Sequence, residues 1–283
     1  MEAKRLEALM RQPLHVAALG LVGGEPVTAR ANYVRLEVRD ERGRLRFEHD
    51  TWRTGDALML QMGFAGEHLV TVFGDLFAHQ VRVWDLGRPG AASRVEGAWD
   101  EEGDVLLWAD PASPRALVRQ GQDVRRLDAA VPALTRATPL AVDADSVAYD
   151  ATHHRLALGE GFDPARLLLC DSEGQVLRTC SLGAGAVDAL LFSGDGRFLA
   201  VQQVGRTIAV HDVETLDARW QSPSKRSLAA SPCGRWMALD GALVDLRAFE
   251  AVSLPPAGGA LFDLRRGELL LADLERTWRV PLP

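Results

Sequence analysis

Histidines are the residues of this chain best suited to bind a metal ion, but their spacing does not favour a site. The seven histidines are His15, His49, His68, His79, His153, His154 and His211. No two of them stand at an HxH or HxxxH spacing, which would place two imidazoles on one side of a strand or helix. His153 and His154 fall in a polar stretch, where a solvated pair in a turn is expected. The sequence therefore predicts no metal ion and no other cofactor.

Motifs for nucleophilic catalysis and for phosphate binding are absent from the sequence. GxSxG, which exposes a catalytic serine on a strand-to-helix turn, does not occur. The glycine pairs Gly159-Glu-Gly161 and Gly183-Ala-Gly185 are not followed by a helical pattern, which a phosphate-binding loop requires. We therefore expect a protein that is not an enzyme.

Charge and cysteine content narrow the classes of partner and compartment. The net charge is −7, which argues against a dedicated nucleic-acid binder, because such proteins use clustered Lys and Arg to neutralise phosphates. No stretch approaches the roughly 18 apolar residues of a membrane helix. Cys170, Cys180 and Cys233 are odd in number and lack a CxxC spacing. A reduced, cytoplasmic protein without a nucleic-acid or membrane partner is predicted.

The elements that position these residues are marked by an aspartate that recurs at the end of short apolar runs. It stands at Asp40, Asp85, Asp128, Asp171, Asp212 and Asp245, at intervals of 45, 43, 43, 41 and 33 residues. Such a period is typical of the blades of a β-propeller. We predict an all-β chain with a single propeller domain over residues 14–283, preceded by an arm of residues 1–13.

A second pattern precedes these runs: an aromatic or apolar residue, a short polar turn, and an apolar run. Examples are Phe64–Leu69, Trp99–Leu106 and Phe192–Leu199. The polar stretches are typical of tight hairpins. The two patterns predict antiparallel four-stranded units, in which the third strand ends at the aspartate. Seven units begin near residues 14, 56, 97, 140, 184, 226 and 258.

The ends of the repeat leave alternatives open. The sixth unit is only about 32 residues long, so it has lost strand length or the propeller has six blades. The seventh unit stops after the run 277–280, so its outer strand is missing or is supplied by the N-terminus. Leu6, Leu9 and Met10 stand at helical spacing and predict a short helix in the arm.

Two segments carry a family resemblance. Val81-Arg-Val-Trp84-Asp85 resembles the signature of WD-repeat proteins, and Phe192-Ser-Gly-Asp-Gly196 resembles that family's first inter-strand turn. The resemblance implies a divergent, bacterial-style WD-like propeller that serves as an interaction platform without catalysis. Gly55-Asp56 and Gly185-Ala186 replace the Gly-His pair of typical members. The resemblance therefore implies that the His–Asp–Ser/Thr–Trp hydrogen-bond network of that family is mostly absent.

The central channel of such a fold offers an alternative site. Asp56, Asp143 and Asp188 stand near the starts of innermost strands, and propeller enzymes such as lactonases place carboxylates and an asparagine around a metal ion there. Asn32 is the only asparagine in this sequence. A channel enzyme or ligand sensor, and a structural subunit of a larger assembly, stay open as alternatives.

The favoured interpretation is recognition of a partner protein or peptide. In a propeller, the loops from second to third strand and those that join blades share one rim. That rim would hold residues 51–53, 74–79, 110–115, 159–164, 204–206 and 224–226. Aromatic and arginine residues are enriched at binding hot spots. The candidate protein-binding residues are Trp52, Arg53, Phe77, Arg115, Phe162 and Arg206, and the positive charge among them predicts an acidic partner.

Overall fold

The structure is a computed structural model, and every regular element that it describes is a β-strand. It describes residues 16–32, 35–50, 58–74, 79–87, 93–99, 105–109, 114–120, 123–130, 133–138, 144–150, 152–172, 174–205, 208–222, 227–239, 241–255, 257, 259–263, 265–272 and 277–283. The predicted N-terminal arm or helix of residues 1–13 lies outside these ranges. The described strands form small sheets, each built from strands consecutive in the chain, which confirms the all-β prediction.

Contacts divide the chain into two units, and the first is Met1–Arg136 with Ala272–Thr277. It contains two four-stranded sheets and most of a third. The first sheet is β1 (Val16–Val22), β2 (Glu25–Ala31), β3 (Arg35–Asp40) and β4 (Leu45–Asp50). The second is β5 (Leu58–Ala65), β6 (His68–Gly74), β7 (His79–Asp85) and β8 (Ser93–Trp99). The third is β9 (Val105–Ala109), β10 (Arg115–Gln120), β11 (Asp123–Asp128) and β12 (Ala133–Thr138).

The second unit, Ala137–Leu271 with Trp278–Pro283, contains the fourth to sixth sheets and most of the seventh. The fourth is β13 (Ala144–Asp150), β14 (Arg155–Glu160), β15 (Ala165–Cys170) and β16 (Val176–Gly183). The fifth is β17 (Val187–Phe192), β18 (Phe198–Gln203), β19 (Ile208–Asp212) and β20 (Ala218–Ser222). The sixth is β21 (Ser227–Ala230), β22 (Trp236–Leu239), β23 (Ala242–Asp245) and β24 (Glu250–Ser253). The seventh is β25 (Gly259–Asp263), β26 (Glu268–Ala272) and β27 (Thr277–Pro281).

The recurring aspartates lie where the sequence placed them, at or directly after the end of each third strand. Their carboxylates accept backbone N–H groups of the turn that follows; Asp212 accepts from Glu214 (2.9 Å) and Asp245 from Arg247 (2.9 Å). The turns that begin at Asp40 and Asp171 share a further bond, because each Asp carbonyl accepts the N–H of the glycine three residues later. The repeated aspartate is thus a turn-capping residue, a role that its short side chain performs well.

The short sixth unit has lost strand length rather than a strand. Its four strands, β21 to β24, have four residues each. The seventh sheet has three strands among the described residues. A fourth strand supplied by the N-terminus would involve residues that the structure does not describe.

The third unit needs a correction. The sequence predicts that Trp99 precedes a hairpin inside that unit. Trp99 instead ends β8 and pairs with His79 of the second sheet. The third sheet therefore begins at β9, and residues 110–114 join its first strand to its second. The aromatic-turn-apolar pattern at Trp99–Leu106 marks a junction between two sheets, because a junction loop and a hairpin loop use the same polar residues.

Within the second unit, consecutive sheets pack against each other through apolar side chains. Leu167 and Leu169 of the fourth sheet share a buried cluster with Leu199 and Val201 of the fifth. The other face of the fifth sheet packs on the sixth, with Ile208 among the buried residues. Second strands therefore read as continuous apolar runs, whereas every residue of the outermost strand β24 is exposed.

One sheet of the first unit contains a buried hydrogen bond between a tryptophan and a threonine, which is similar to one step of the WD-repeat network. The indole Nε1–H of Trp84 on β7 donates to Thr71 Oγ1 on β6 at 2.8 Å, and both side chains are buried. The resemblance implied that this network is mostly absent. The second sheet keeps its Trp–Thr step.

Candidate functional site

Two of the six predicted binding residues are described, and only one of them lies on the kind of loop that was expected. Trp52, Arg53, Phe77 and Arg206 lie outside the described residues. Arg115 is exposed and begins β10, beside the loop from first to second strand, so its expected place on a second-to-third loop is wrong. Phe162 lies between β14 and β15, on a second-to-third loop as predicted, and is 66% exposed.

A second exposed apolar side chain occupies the matching loop of the next sheet. Val204 directly follows β18, precedes β19, and is 55% exposed. Of residues 204–206, the sequence predicts Arg206 as the binding residue, because arginine is the more frequent hot-spot residue. The sequence signal that could have indicated Val204 is an apolar residue placed between the end of a strand and a glycine of the following turn.

The segment that joins the fourth sheet to the fifth holds both loops in place. The Gly185 N–H donates to the Phe162 carbonyl oxygen at 2.7 Å, and the Val204 N–H donates to the Ala186 carbonyl oxygen at 2.9 Å. Gln203 Nε2 also donates to the Gly185 carbonyl oxygen at 3.0 Å. Phe162, Val204 and the segment 183–186 are therefore one hydrogen-bonded surface, which we call the Phe162–Val204 surface.

Polar side chains lie beside this surface at the start of β17 and the end of β18. The exposed carboxylate of Asp188 accepts from Gln202 Nε2 at 2.6 Å. Gln202 is buried, and its Oε1 has no hydrogen-bond partner among the described residues. The same is true of Ser146 Oγ on β13. Unpaired buried acceptors are costly and uncommon, so this end of the two sheets is incompletely satisfied.

The described segments of the surface and its border carry acidic charge. Asp163 and Asp188 are both exposed, and segments 161–164, 182–188 and 202–205 contain no lysine or arginine. Glu160 is buried and forms an ion pair with Arg166. The arginines that predicted an acidic partner at this rim, Arg53 and Arg206, are not among the described residues.

The opposite end of the same two sheets carries a tightly bonded polar cluster. The buried Asp150 carboxylate bonds His153 Nδ1 at 2.8 Å and accepts from Arg155 Nη2 at 3.0 Å. Arg155 also donates to the Gly196 carbonyl oxygen of the fifth sheet at 2.8 Å. His153 is thus bound to Asp150 rather than simply solvated, and the cluster joins two sheets.

The described residues offer little for metal binding or for a site in a central channel. Within the described ranges, no group of three or more His, Cys, Asp or Glu residues could hold a metal ion. Asp188 bonds Gln202, whereas Asp56 and Asp143, the other proposed channel carboxylates, lie outside those ranges. In the same part of the chain, no helix is long and apolar enough to cross a membrane.

Comparison with known proteins supports the fold alone. No family model matches the sequence, and no curated protein matches it. A chain from a solved structure described as "Crystal Structure of Mitotic Checkpoint Complex" is similar, with 14% sequence identity and a TM-score of 0.64. The match covers 95% of this chain and 87% of that chain. Together with the small antiparallel sheets, it shows a WD40-like β-propeller fold, and a fold of this kind hosts many functions.

Proposed function

We propose, with the WD40-like propeller fold as the premise, that this protein is a non-catalytic platform that binds a partner protein or peptide. The observation that carries the proposal is the Phe162–Val204 surface, with two large apolar side chains exposed on matching loops of consecutive sheets. Exposed apolar groups on neighbouring loops favour contact with another molecule, because binding removes them from water.

Anchoring of the loops supports recognition rather than incidental exposure. Phe162 and Val204 each have a backbone group hydrogen-bonded to the segment 183–186, so these two positions are already held before a partner arrives. A surface that is ordered in advance loses little conformational entropy on binding. This preorganisation favours a platform that presents fixed side chains.

Finer features belong to the same proposal. We propose a cytoplasmic protein in which the sheets are blades of a seven-bladed propeller, with six blades as the alternative that an experimental density map would distinguish. The acidic partner predicted from Arg53, Arg115 and Arg206 stays a prediction. It would show as binding that weakens steeply with salt.

The test is capture of partners from native cell lysate by tagged protein, followed by mass spectrometry. We expect a specific partner that Phe162→Ser and Val204→Ser each lose, because each removes apolar contact area from the surface. Val252→Ser is the matched control, since Val252 is 57% exposed but lies on the outermost strand β24. Thermal melting would verify that all three variants fold.

Two outcomes would count against the platform. If all three variants keep the partner, binding uses another surface. If only Val252→Ser loses it, an outer strand is the contact, which favours the alternative of a structural subunit. Exposed Val176 and Leu177 on the outermost strand β16 are the observation in favour of that alternative.

A further inference from the structure

The charges and unpaired acceptors beside the Phe162–Val204 surface indicate what kind of partner it fits. We infer that the partner segment carries a lysine or arginine close to an apolar side chain: the apolar group covers Phe162 and Val204, and the cation binds the Asp188 carboxylate. The inference rests on the proposed function, because it names the partner chemistry at that same surface.

The Asp188–Gln202 pair is rich in acceptors and poor in donors. Asp188 offers two carboxylate oxygens, and its described hydrogen bond is the one from Gln202 Nε2. Gln202 Oε1 accepts no hydrogen bond within the described part of the chain although the side chain is buried. An ammonium group carries three N–H donors and a guanidinium carries five, so either can bind the exposed Asp188 carboxylate better than a neutral side chain.

The pair is close enough to the apolar surface for one segment to reach both. Ala186, whose carbonyl oxygen binds the Val204 N–H, stands two residues before Asp188. Two residues of extended chain span about 7 Å, which is also the spacing of alternate residues in an extended partner. An apolar residue and a basic residue in neighbouring or alternate positions can therefore occupy the two places together.

The described charges of the surface and its border favour a basic partner over an acidic one. Asp163 and Asp188 are the described charges of the three segments that form the surface and its border. The nearby Glu160 is already paired with Arg166. A carboxylate placed against Asp188 would meet like charge, whereas a cation gains charge-assisted hydrogen bonds.

The test is selection of a displayed library of random linear peptides against the whole protein, in parallel with three variants. Phe162→Ser removes the apolar contact, and Asp188→Asn removes the charge while it keeps the shape. Asp217→Asn is the matched control, because Asp217 is an exposed carboxylate at the opposite end of the fifth sheet. Peptides selected by the wild type are then synthesised, and their dissociation constants are measured for each variant.

We expect selected peptides with Lys or Arg within two positions of an apolar residue. Asp188→Asn should weaken them at least about tenfold, as loss of a hydrogen bond to a charged group does. Asp217→Asn should leave their affinity unchanged. Replacement of the basic residue by its neutral analogue should weaken wild-type binding but no longer affect Asp188→Asn.

Each other result has a distinct meaning. Peptides that depend on Phe162 but show no basic preference, or that keep their affinity for Asp188→Asn, would overturn the inference and leave the proposed function standing. Peptides rich in Asp or Glu would overturn it in favour of the arginine-based prediction. Absence of any peptide that depends on Phe162 would overturn both.

Discussion

The recurring aspartates of the sequence mostly stabilise the turns in which they stand. Asp245 is representative, since it accepts the Arg247 N–H with one oxygen and the Arg235 guanidinium with the other, at 2.9 Å in each case. Burial raises the pKa of the Asp245 carboxyl, but these hydrogen bonds and the charge of Arg235 outweigh it and hold that pKa below the ordinary value. Its charged form therefore stabilises the fold.

A pH dependence follows from the lowered pKa of Asp245. A group whose pKa is lower in the folded than in the unfolded state contributes stability above the unfolded value, and that contribution is lost as pH falls through the folded value. We expect Asp245→Asn to melt at a lower temperature than the wild type at neutral pH. The difference should shrink on acidification to about pH 3. A difference in melting temperature that stays constant over this range would contradict the assignment.

The three thiols should react in an order set by their surroundings. Burial, with the nearby carboxylates of Asp171 and Glu160, raises the pKa of Cys170 to about 11. Burial likewise raises the pKa of Cys180, whereas Cys233 is exposed. Because the thiolate is the reactive form, alkylation near neutral pH should modify Cys233 first and Cys170 only after unfolding.

Mass spectrometry of timed samples would measure that order. Alkylation in denaturant, where all three cysteines should react, is the control for reagent access. Modification of Cys170 in the native protein as fast as Cys233 would show that the fourth sheet opens far more readily than its buried cluster indicates.

The hydrogen bond from Trp84 to Thr71 joins two neighbouring strands, β7 and β6. Thr71→Val keeps the shape of the side chain but leaves the buried Trp84 N–H without its acceptor. We expect the free energy of unfolding to fall by about 1–3 kcal/mol, measured by chemical denaturation. Thr71→Ser, which keeps the hydroxyl, should lose much less. A larger loss in Thr71→Ser than in Thr71→Val would mean that packing of the methyl group, not the hydrogen bond, is what matters.

The ends of strands could be predicted where the sequence signal is local. The prediction was wrong where the end of a strand depends on pairing with a distant residue. The capping aspartates fix the end of the third strand, because their hydrogen bonds lie within one turn. Trp99 misled because its place depends on pairing with His79, twenty residues earlier, rather than on its neighbours. Junctions between sheets therefore need three-dimensional information that turn composition does not carry.

For the whole molecule, the repeat period predicted the fold class, whereas the site was only partly predictable. Phe162 was found because an aromatic residue in a loop is conspicuous. Val204 was not predicted, because no sequence motif indicates that a single valine after an apolar strand is exposed. The sequence offers Asp188 as a possible carboxylate of a central channel, but it does not show that Gln202 Nε2 donates to that carboxylate at 2.6 Å.

The self-contained capping turns have a consequence for how such a chain diverges. Each carboxylate accepts backbone N–H groups of its own turn, so this part of the cap does not depend on which side chains stand in the adjoining sheets. The tryptophan–threonine step, by contrast, requires two matched residues on separate strands and is easily lost by drift. Related sequences can therefore lose a Trp-Asp pair such as Trp84-Asp85 and still keep one aspartate about every forty residues. A search built on that acid and its spacing would reach ancestors and cousins that signature-based matching passes over.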